Sequence, residues 1–359
     1  MSQTPAMPAP PQADDLARLD GALPRFFTAM AIARPGGPEV LERATERLVA
    51  PGPGQVLIEV AAAGVNGPDL AQRRGHYDPP RGASPLPGLE VSGTVVALGD
   101  GVAGMTRGER VMALTNGGGY AEYVAVPAGQ VLPAPFGWSL IEAAALPETL
   151  FTVTQTLVMR SRLEAGMSVL IHGASGGIGG AAILACRALG ADAIAVVSSP
   201  EKADYVRGLG AYAVIDRSRE DIVERTLALT GGRGADRIVD LVGGRMAAQN
   251  VAAAARFGHI VVIATLGGGM AEMPLSQLMM KQLTLSGSTL RPQSAEAKAV
   301  IAETIRLRLF DTLIAADCPK PAIATFALTN APEAHRRLES PDSYGKIVLV
   351  TERGVEAGG

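Results

Sequence analysis

The segment HGASGGIGG, residues 172–180, places five glycines directly after the apolar run Ser168–Ile171. In dinucleotide-binding folds such glycines allow a tight turn, close approach of the backbone to a pyrophosphate and close packing of the following helix. The N-terminus of that helix adds free N–H groups and a dipole that favours an anion. Ala174, Gly176 and Gly179 occupy the three spaced positions, with alanine in place of the usual first glycine. Taken alone, this string is equally typical of an ordinary turn.

The surrounding sequence decides between these two interpretations. Apolar runs recur about every 20 to 25 residues after position 165, and they are MSVLIHG, AIAVVSS, AYAVID, RIVDLVG, HIVVIATLG and LTLSGS. Helix-like segments separate them, beginning with the alanine-rich stretch Ala181–Leu189. This alternation indicates βαβ units, and strands so uniformly apolar are typical of a parallel sheet covered on both faces. The sequence therefore predicts an α/β fold with a doubly wound sheet that binds a dinucleotide at the glycine turn.

Residues around this predicted sheet are candidates for contact with the dinucleotide. The Ser175 hydroxyl and the N–H groups of Gly176, Gly177 and Ile178 are placed to bind a pyrophosphate. Loops at the carboxyl ends of later strands meet ligands in such folds. We therefore expect the backbone around Val242 and Leu266 to line the nicotinamide side.

The end of the second strand points to NADPH rather than NADH. A site specific for NAD usually has Asp or Glu there, about 20 residues after the glycines, to bind the ribose 2′-hydroxyl. This chain has Ser198 and Ser199 instead, followed by Lys202, and Arg217 lies just after the third strand. Hydroxyl groups and cations accept a 2′-phosphate, which a carboxylate would repel. The alternative is that Lys202 and Arg217 are ordinary surface charges.

Composition narrows the partners of the chain. It has 359 residues, 47% of them hydrophobic, and a net charge of −3 from scattered charged residues. Nothing in this distribution is typical of a protein that binds nucleic acid or an anionic membrane, so we expect a small-molecule partner. No apolar run approaches the roughly 20 residues of a membrane-spanning helix, and two cysteines are too few for a disulfide scaffold. We expect a soluble, cytoplasmic protein.

The first half of the chain has a different sequence pattern. Residues 28–135 contain short β-like runs broken by Gly and Pro, among them GQVLIEVAAAG, VSGTVVALG, ERVMAL and YAEYVAVPAGQVLPAP. This pattern predicts a β-rich, barrel-like region. Residues 1–27 begin with a stretch rich in Pro, Ala and Gln, and Asp14 and Asp15 stand where a signal peptide would be apolar. We interpret them as a flexible extension, and the equal alternative is a mis-assigned start codon, because Met30 opens a plausible first strand.

Several of these segments together carry a family resemblance. They are the AxxGGxG turn, AAALPETLFTVTQTL (143–157), EKADYVRGLGA (201–211), GKIVLV (345–350) and VNGPDLAQRRGHYDPPRGASPLPGLEVSGTV (65–95). The chain resembles the medium-chain dehydrogenase/reductase superfamily, and within it the zeta-crystallin-like quinone oxidoreductases, from about residue 28 to 351. The resemblance implies a GroES-like catalytic domain (28–150 and 320–352) and a Rossmann NADPH-binding domain (151–319), leaving 353–359 as a flexible tail. A strand, helix and strand pattern after a helix at Ala295–Leu309 agrees with a return of the chain to the first domain.

The presence or absence of zinc ligands distinguishes the branches of this superfamily. Zinc alcohol dehydrogenases have a Cys where this chain has Asn66 and a His where it has Leu89, and their structural zinc needs four closely spaced cysteines. The chain has four histidines in all, and for His172, His259 and His335 structural roles are the simpler interpretation. We therefore expect no metal.

Four further residues are candidates near the reacting groups. The resemblance implies that Asn66, in place of the lost metal ligand, bonds to cofactor or substrate, although an Asn before Gly-Pro also suits a turn. Tyr77 is the best-placed phenol to steer a quinone oxygen or give a proton, unless it only packs on its loop. Thr152 resembles the family's threonine near the nicotinamide. Lys346 resembles a lysine near the cleft, or is simply solvated.

These expectations combine into a function. Without a metal to polarise an alcohol, electron-poor acceptors suit a bare hydride donor, so we expect NADPH-dependent reduction of quinones. The alternatives are an enoyl or enone reductase on the same scaffold and a non-enzymatic NADPH-binding protein. The resemblance implies that the late β-like run at residues 283–290 forms a sheet edge that pairs across a two-fold axis. We therefore expect a homodimer, which light scattering would test.

Overall fold

The structure, a computed structural model, describes residues 23–357. The strands are β1 (Phe26–Ile32), β2 (Leu41–Arg47), β3 (Gln55–Val65), β4 (Glu90–Leu98), β5 (Arg110–Leu114), β6 (Tyr123–Pro127), β7 (Val131–Pro133), β8 (Ser168–Ile171), β9 (Asp192–Val197), β10 (Ala213–Asp216), β11 (Ala235–Asp240), β12 (Ala254–Val262), β13 (Thr284–Gly287), β14 (Ile323–Ala327) and β15 (Lys346–Val350). The helices are α1 (Gly67–Arg73), α2 (Leu140–Ala143), α3 (Pro147–Val153), α4 (Gly177–Leu189), α5 (Pro200–Gly208), α6 (Ile222–Leu229), α7 (Met246–Ala253), α8 (Leu275–Lys281), α9 (Ala295–Arg308), α10 (Phe310–Ile314), α11 (Ala331–Glu339) and α12 (Glu352–Ala357).

The second half of the chain forms a six-stranded parallel sheet. Its strand order is β10-β9-β8-β11-β12-β13, and every neighbouring pair is parallel. The first strand, β8, lies in the middle, so strand order reverses at its carboxyl end. Ligands bind at this position in open α/β sheets. The predicted doubly wound sheet is confirmed, and each of the six apolar runs contributes one strand.

The first half forms a mixed seven-stranded sheet. Its order is β14-β15-β3-β4-β5-β7, and β6 pairs with β3. The two late strands, β14 and β15, join this sheet, and β15 runs antiparallel to β3. The predicted return of the chain to the β-rich region is therefore present, with α11 between the two returning strands.

One hydrophobic cluster joins the two sheets. It contains Met112 and Leu132 from β5 and β7, Phe151 from α3, and Ile171 from β8. Trp138 belongs to the same cluster, and its indole N–H donates to the Leu313 carbonyl at 2.8 Å. The chain passes between the sheets through α3 and a π-helical segment, Thr154–Arg160, whose residues up to Val158 are all buried. This continuous apolar contact fixes the cleft between the sheets.

The ends of the described chain differ from the expectation of flexible segments. Strand β1 begins at Phe26, inside the segment 1–27 that we expected to be an extension, and it pairs with β2 along its whole length. Residues 1–22 lie outside the described residues. In the expected tail 353–359, the described part is helical to Ala357, and buried Gly354 packs against the Ala61 carbonyl of β3. The first segment is ordered by pairing with the next strand, and the last is ordered by packing on a strand far away in sequence.

Strand β13 forms the outer edge of the six-stranded sheet. Beside it, α8 has no buried residue, and Met279 and Met280 are exposed. Within residues 23–357 no helix combines the length and the apolar character needed to cross a membrane. The homodimer through this edge stays a prediction.

His335 on α11 provides a test of the packing between α1 and the returning segment. Its side chain is fully buried, Arg73 donates to Nδ1 at 3.2 Å, and Nε2 lies 2.9 Å from the Tyr120 hydroxyl. Arginine has no acceptor, so the ring is neutral with its proton on Nε2. Burial and then the charge of Arg73 lower the pKa of His335 to about 3.

We expect this histidine to make stability fall as the pH falls. In the unfolded chain the ring takes up a proton near its ordinary pKa of about 6.5, whereas the folded ring stays neutral down to about 3. The free energy of unfolding should lose up to about 1.4 kcal/mol per pH unit through this window. Denaturant titrations from neutral to acidic pH should show a shallower slope for His335→Gln than for the wild type. Parallel slopes would contradict the assignment.

Candidate active site

The glycine turn follows β8 and leads into α4. A Cβ on Gly179 would lie 2.4 Å from backbone atoms of Ala174, so the helix packs directly on the turn. Ala174 itself is fully buried in the hydrophobic cluster, which explains the alanine at the first motif position. The first helical turn leaves the N–H groups of Gly177 and Ile178 without helical acceptors. The N–H group of Gly176, also predicted as a phosphate donor, instead donates to the Gly173 carbonyl at 3.1 Å. The turn therefore has the close packing and free donors of an anion-binding turn.

A pocket of about 360 Å³ opens beside this turn. Of the predicted residues, six line it, and they are Ser175, Ser198, Lys202, Arg217, Val242 and Leu266. His172 and Arg245 line it as well, and sequence analysis assigned no ligand contact to either of them. None of the described residues that line this pocket is Asp or Glu. Asp216, which directly precedes Arg217, bonds to Ser218 instead.

The polar residues at the far end of this pocket differ in the hydrogen bonds that they already make. Lys202 donates to the Pro341 carbonyl at 2.6 Å, which leaves two further N–H donors. Arg217 and Arg245 are both exposed at the rim. The Ser199 hydroxyl caps α5 by accepting from the Lys202 N–H, so it has a structural role in this conformation. The rim is thus cationic, mainly through its two arginines.

His172 forms part of a buried polar chain behind the pocket. Its Nε2 lies 2.7 Å from Asn250 Oδ1, and Asn250 Nδ2 donates to Asp240 Oδ2 at 2.9 Å. The other oxygen of Asp240 accepts from the N–H groups of Val242 and Gly243. Burial lowers the pKa of His172. The chain holds the loop after β11 in place, which agrees with the structural role expected for this histidine.

A second polar group lies on the other side of the turn, between the two sheets. Lys346 Nζ donates to Asn66 Oδ1 at 2.7 Å and to Glu90 Oε1 at 2.5 Å, and Asn66 Nδ2 donates to the same Glu90 oxygen at 2.7 Å. Glu90 Oε2 accepts from the Glu148 N–H at 2.9 Å. Lys346 is buried, so the alternative of a solvated lysine is wrong. Sequence analysis missed Glu90, a single acid in an apolar strand.

Lys346 also touches the glycine turn. A Cβ on Gly177 would lie 2.6 Å from Lys346 Cδ, so only glycine leaves room for this side chain. The Gly345 N–H donates to the Ser175 carbonyl at 2.8 Å. The predicted residues Asn66, Gly177 and Lys346 are therefore brought together, although Asn66 and Lys346 are 280 positions apart.

Tyr77 packs against an arginine that sequence analysis missed. The guanidinium of Arg291 lies 5.5 Å from the centre of the Tyr77 ring. Arg291 is held by Gln72 Oε1 at 2.8 Å and by the Asn116 carbonyl at 2.9 and 3.1 Å. Burial raises the pKa of Tyr77, so the phenol is neutral at neutral pH and can donate a hydrogen bond. Tyr77 thus contacts a buried arginine outside its own loop, and its role toward a quinone stays a prediction.

Two buried carboxyl groups complete the cleft. Asp69 accepts from the N–H groups of Asn66 and Gly88, and burial raises its pKa to about 6. Burial, together with the charges of Glu90 and Asp69, raises the pKa of Glu148 to about 8. The predicted residue Thr152 lies one turn after Glu148 on α3 and is also buried. An acid within the apolar stretch AAALPETLF was the available sequence signal for Glu148.

Metal ligands do not cluster in this cleft. Among residues 23–357 no three or more His, Cys, Asp or Glu side chains are arranged to hold a metal ion. Asn66 and Leu89 stand at the two positions that carry zinc ligands in zinc alcohol dehydrogenases. Leu89 is buried in the β-rich region. The residues present suit a dinucleotide better, because the turn offers free N–H groups and a carboxylate-free pocket.

Comparisons with known proteins agree with this fold. Residues 52–136 match the alcohol dehydrogenase GroES-like domain, and residues 177–305 match the family described as zinc-binding dehydrogenase. The quinone oxidoreductase of Pseudomonas aeruginosa is 32% identical over 322 residues, which cover 88% of this chain and 97% of that protein. The quinone oxidoreductase structure from Pseudomonas syringae pv. tomato is 31% identical, with a TM-score of 0.78 over 90% of this chain and 99% of that chain.

A further solved structure bears on the cofactor. The quinone oxidoreductase of Escherichia coli, complexed with NADPH, is 29% identical, with a TM-score of 0.78 over 90% of this chain and 99% of that chain. The fold and the comparisons define an oxidoreductase with a fold that binds a nicotinamide cofactor. The chain belongs to the medium-chain dehydrogenase/reductase superfamily, in its zeta-crystallin-like quinone oxidoreductase branch.

The contact between Gly179 and Ala174 can be tested by substitution. Gly179→Ala should lower the free energy of unfolding by roughly 1 to 3 kcal/mol, because the new methyl group must push α4 away from the turn. The matched control is Gly208→Ala in α5, where a Cβ meets no atom within 4 Å. That variant should be neutral or slightly more stable. Equal stability of both variants in denaturant titrations would refute the close packing.

Proposed function

We propose that the protein catalyses NADPH-dependent reduction of quinones by direct hydride transfer. The observation that supports this most is that the glycine turn contacts two polar sites of different character. Ser175 lines the cationic pocket, while Gly177 packs against Lys346 in the buried cleft. A dinucleotide that spans the turn would have its phosphates on one side and its nicotinamide toward Asn66, Lys346 and Thr152. The names of the similar proteins support quinones as the acceptor class.

Each end of the site has a distinct task in this proposal. The Ser175 hydroxyl and the free N–H groups of Gly177 and Ile178 bind the pyrophosphate. Ser198, Arg217 and Arg245 bind the 2′-phosphate, which their hydroxyl and guanidinium groups can hold in water-exposed positions. Bound NADPH supplies a hydride. Tyr77, steadied by Arg291, donates a hydrogen bond that orients the quinone oxygen.

The proposed reaction can be tested by following NADPH absorbance with purified protein. A benzoquinone and a naphthoquinone should be reduced rapidly, whereas an enone and an enoyl thioester should react slowly or not at all. Turnover only with the enone or the thioester would replace the proposal with alkene reduction. Tight NADPH binding without any turnover would show a non-enzymatic role instead.

The cofactor preference depends on the cationic rim. Arg217→Ala should raise the Kd for NADPH about 10-fold and leave the Kd for NADH unchanged, since only NADPH has the 2′-phosphate. The matched control is Arg219→Ala, because Arg219 lies on the same turn but lines a different cavity beside Asp216. Fluorescence titration measures both constants. If Lys202→Ala keeps the wild-type affinity for NADPH, the lysine bonded to Pro341 has no part in binding the phosphate.

A further inference from the structure

One face of α3 keeps contact with the cleft. Phe151 and Val153 are fully buried, whereas Glu148 is 8% exposed and Thr152 is 6% exposed. Residues four apart lie above one another on a helix, so Glu148 and Thr152 share a face. Gln155 continues it, and its Nε2 donates to the Thr289 carbonyl. This face therefore lies against the segment that contains Arg291 and that continues into α9, where Lys298 lies.

Glu148 lies between the two polar groups of the cleft. Several charged and titratable groups from the surrounding elements interact electrostatically with the Glu148 carboxyl. They are Glu90, Asp69, Lys346, Lys298, Arg291 and Tyr77. Lys298 is fully buried, with its ammonium on Asn116 Oδ1 and on the Arg291 carbonyl at 2.8 Å. Glu148 thus interacts electrostatically with charged groups from both the Asn66 and Lys346 group and the Tyr77 and Arg291 group.

The two neighbouring glutamates differ in their hydrogen bonds. Glu90 accepts from Asn66, Lys346 and the Glu148 N–H. For the Glu148 carboxyl, in the described part of the chain, no side chain or backbone group donates a hydrogen bond, although the residue is more than nine-tenths buried. The Glu148 oxygens are not among the fully buried unpaired atoms of the described residues, so they reach the cleft. A largely buried carboxylate without protein donors is costly, which favours the protonated form of this group. Burial and the charges of Glu90 and Asp69 raise its pKa accordingly.

We propose that Glu148 is the proton donor that completes quinone reduction in this cleft. This inference rests on the proposed function. Addition of the hydride gives the quinone two electrons and one hydrogen nucleus, which leaves a hydroquinone monoanion. The O–H bond of the Glu148 carboxyl then breaks as a new O–H bond forms on the quinone oxygen. The carboxylate that remains is stabilised by the ammonium groups of Lys298 and Lys346 and regains its proton from water.

The geometry assigns different tasks to Glu148 and Tyr77. General acids work best when their pKa lies near the working pH. The pKa of Glu148, about 8, meets this condition, whereas burial moves the phenol of Tyr77 above its ordinary value of 10. Tyr77 therefore orients the oxygen by a hydrogen bond, and Glu148 transfers the proton.

The test compares Glu148→Gln, which keeps the shape but has no acidic proton, with Glu142→Gln. Glu142 lies in the same segment, but it is paired with Lys320 at 2.8 Å on the surface. Infrared difference spectra of the full chain without cofactor report the carbonyl stretch of a protonated carboxylic acid directly. In the wild type and in Glu142→Gln this band should disappear with a midpoint near the pKa of about 8. It should be absent in Glu148→Gln.

Kinetics then test the role of the proton. Glu148→Gln should lower kcat for quinones about 100-fold, leave the Kd for NADPH unchanged and remove the loss of activity above about pH 8. Lys298 has a pKa lowered by burial to about 8 as well, so the infrared band is needed to assign that alkaline limb to the carboxyl.

The outcomes separate the two proposals. A wild-type kcat and pH profile in Glu148→Gln, or no carboxylic acid band that depends on Glu148, would overturn the donor role while quinone reduction stands. A wild type that reduces no quinone overturns the proposed function and the donor role together. In that case the infrared band still decides whether Glu148 holds a proton.

Discussion

The cleft of this protein depends on the buried ion pair between Lys346 and Glu90. Burial of a lysine and a glutamate is costly unless both are paired and their remaining hydrogen bonds are satisfied. Here Glu90 accepts from donors on three separate segments, namely Asn66 before α1, Lys346 at the start of β15 and the backbone of Glu148 in α3. One carboxylate therefore fixes the relative positions of the β-rich sheet, the returning strand and the helix that leads to the parallel sheet.

This pairing also controls how the glycine turn is used. Lys346 reaches Asn66 by passing over Gly177, which has room for it because it lacks a Cβ. The adjacent Gly345 bonds to the Ser175 carbonyl, so the returning segment holds the turn from outside. The turn is thus shaped on one side by its own helix, through Gly179 and Ala174, and on the other by a segment from the far end of the chain.

Glu90 and its neighbour Glu148 differ in the hydrogen bonds that their carboxyl groups accept. Asn66 and Lys346 both donate to Glu90. Charged groups surround the Glu148 side chain, and none of residues 23–357 donates a hydrogen bond to its carboxyl. Two glutamates in one cleft consequently have different hydrogen-bond environments. Opposite environments of this kind separate an acid that can release a proton from a carboxylate with a structural role. At the other end of the site, Arg217 and Arg245 remain exposed, which suits recognition of a phosphate that arrives from water.

The sequence by itself determined the parallel sheet, the glycine turn, the β-rich first half and the return of the last strands. These features depend on local pattern, because periodic apolar runs and glycine spacing specify strands, helices and turns over short distances. It also named Ser175, Ser198, Arg217, Val242 and Leu266, which line one pocket because they follow successive strand ends. Tyr77, Asn66 and Lys346 came from the family resemblance or from motif position.

Only the tertiary structure decided which charges share the cleft. Arg291 bonds to Gln72 across 219 positions, and Lys346 bonds to Asn66 across 280 positions. In the sequence Lys298 is one more charge on a helix, and Glu148 is one acid in an apolar stretch. The helix at the end of the chain was equally hidden, since it forms against β3, far away in sequence. Burial and pairing are properties of the assembled fold, so neither the role of these residues nor their protonation could be derived from local pattern.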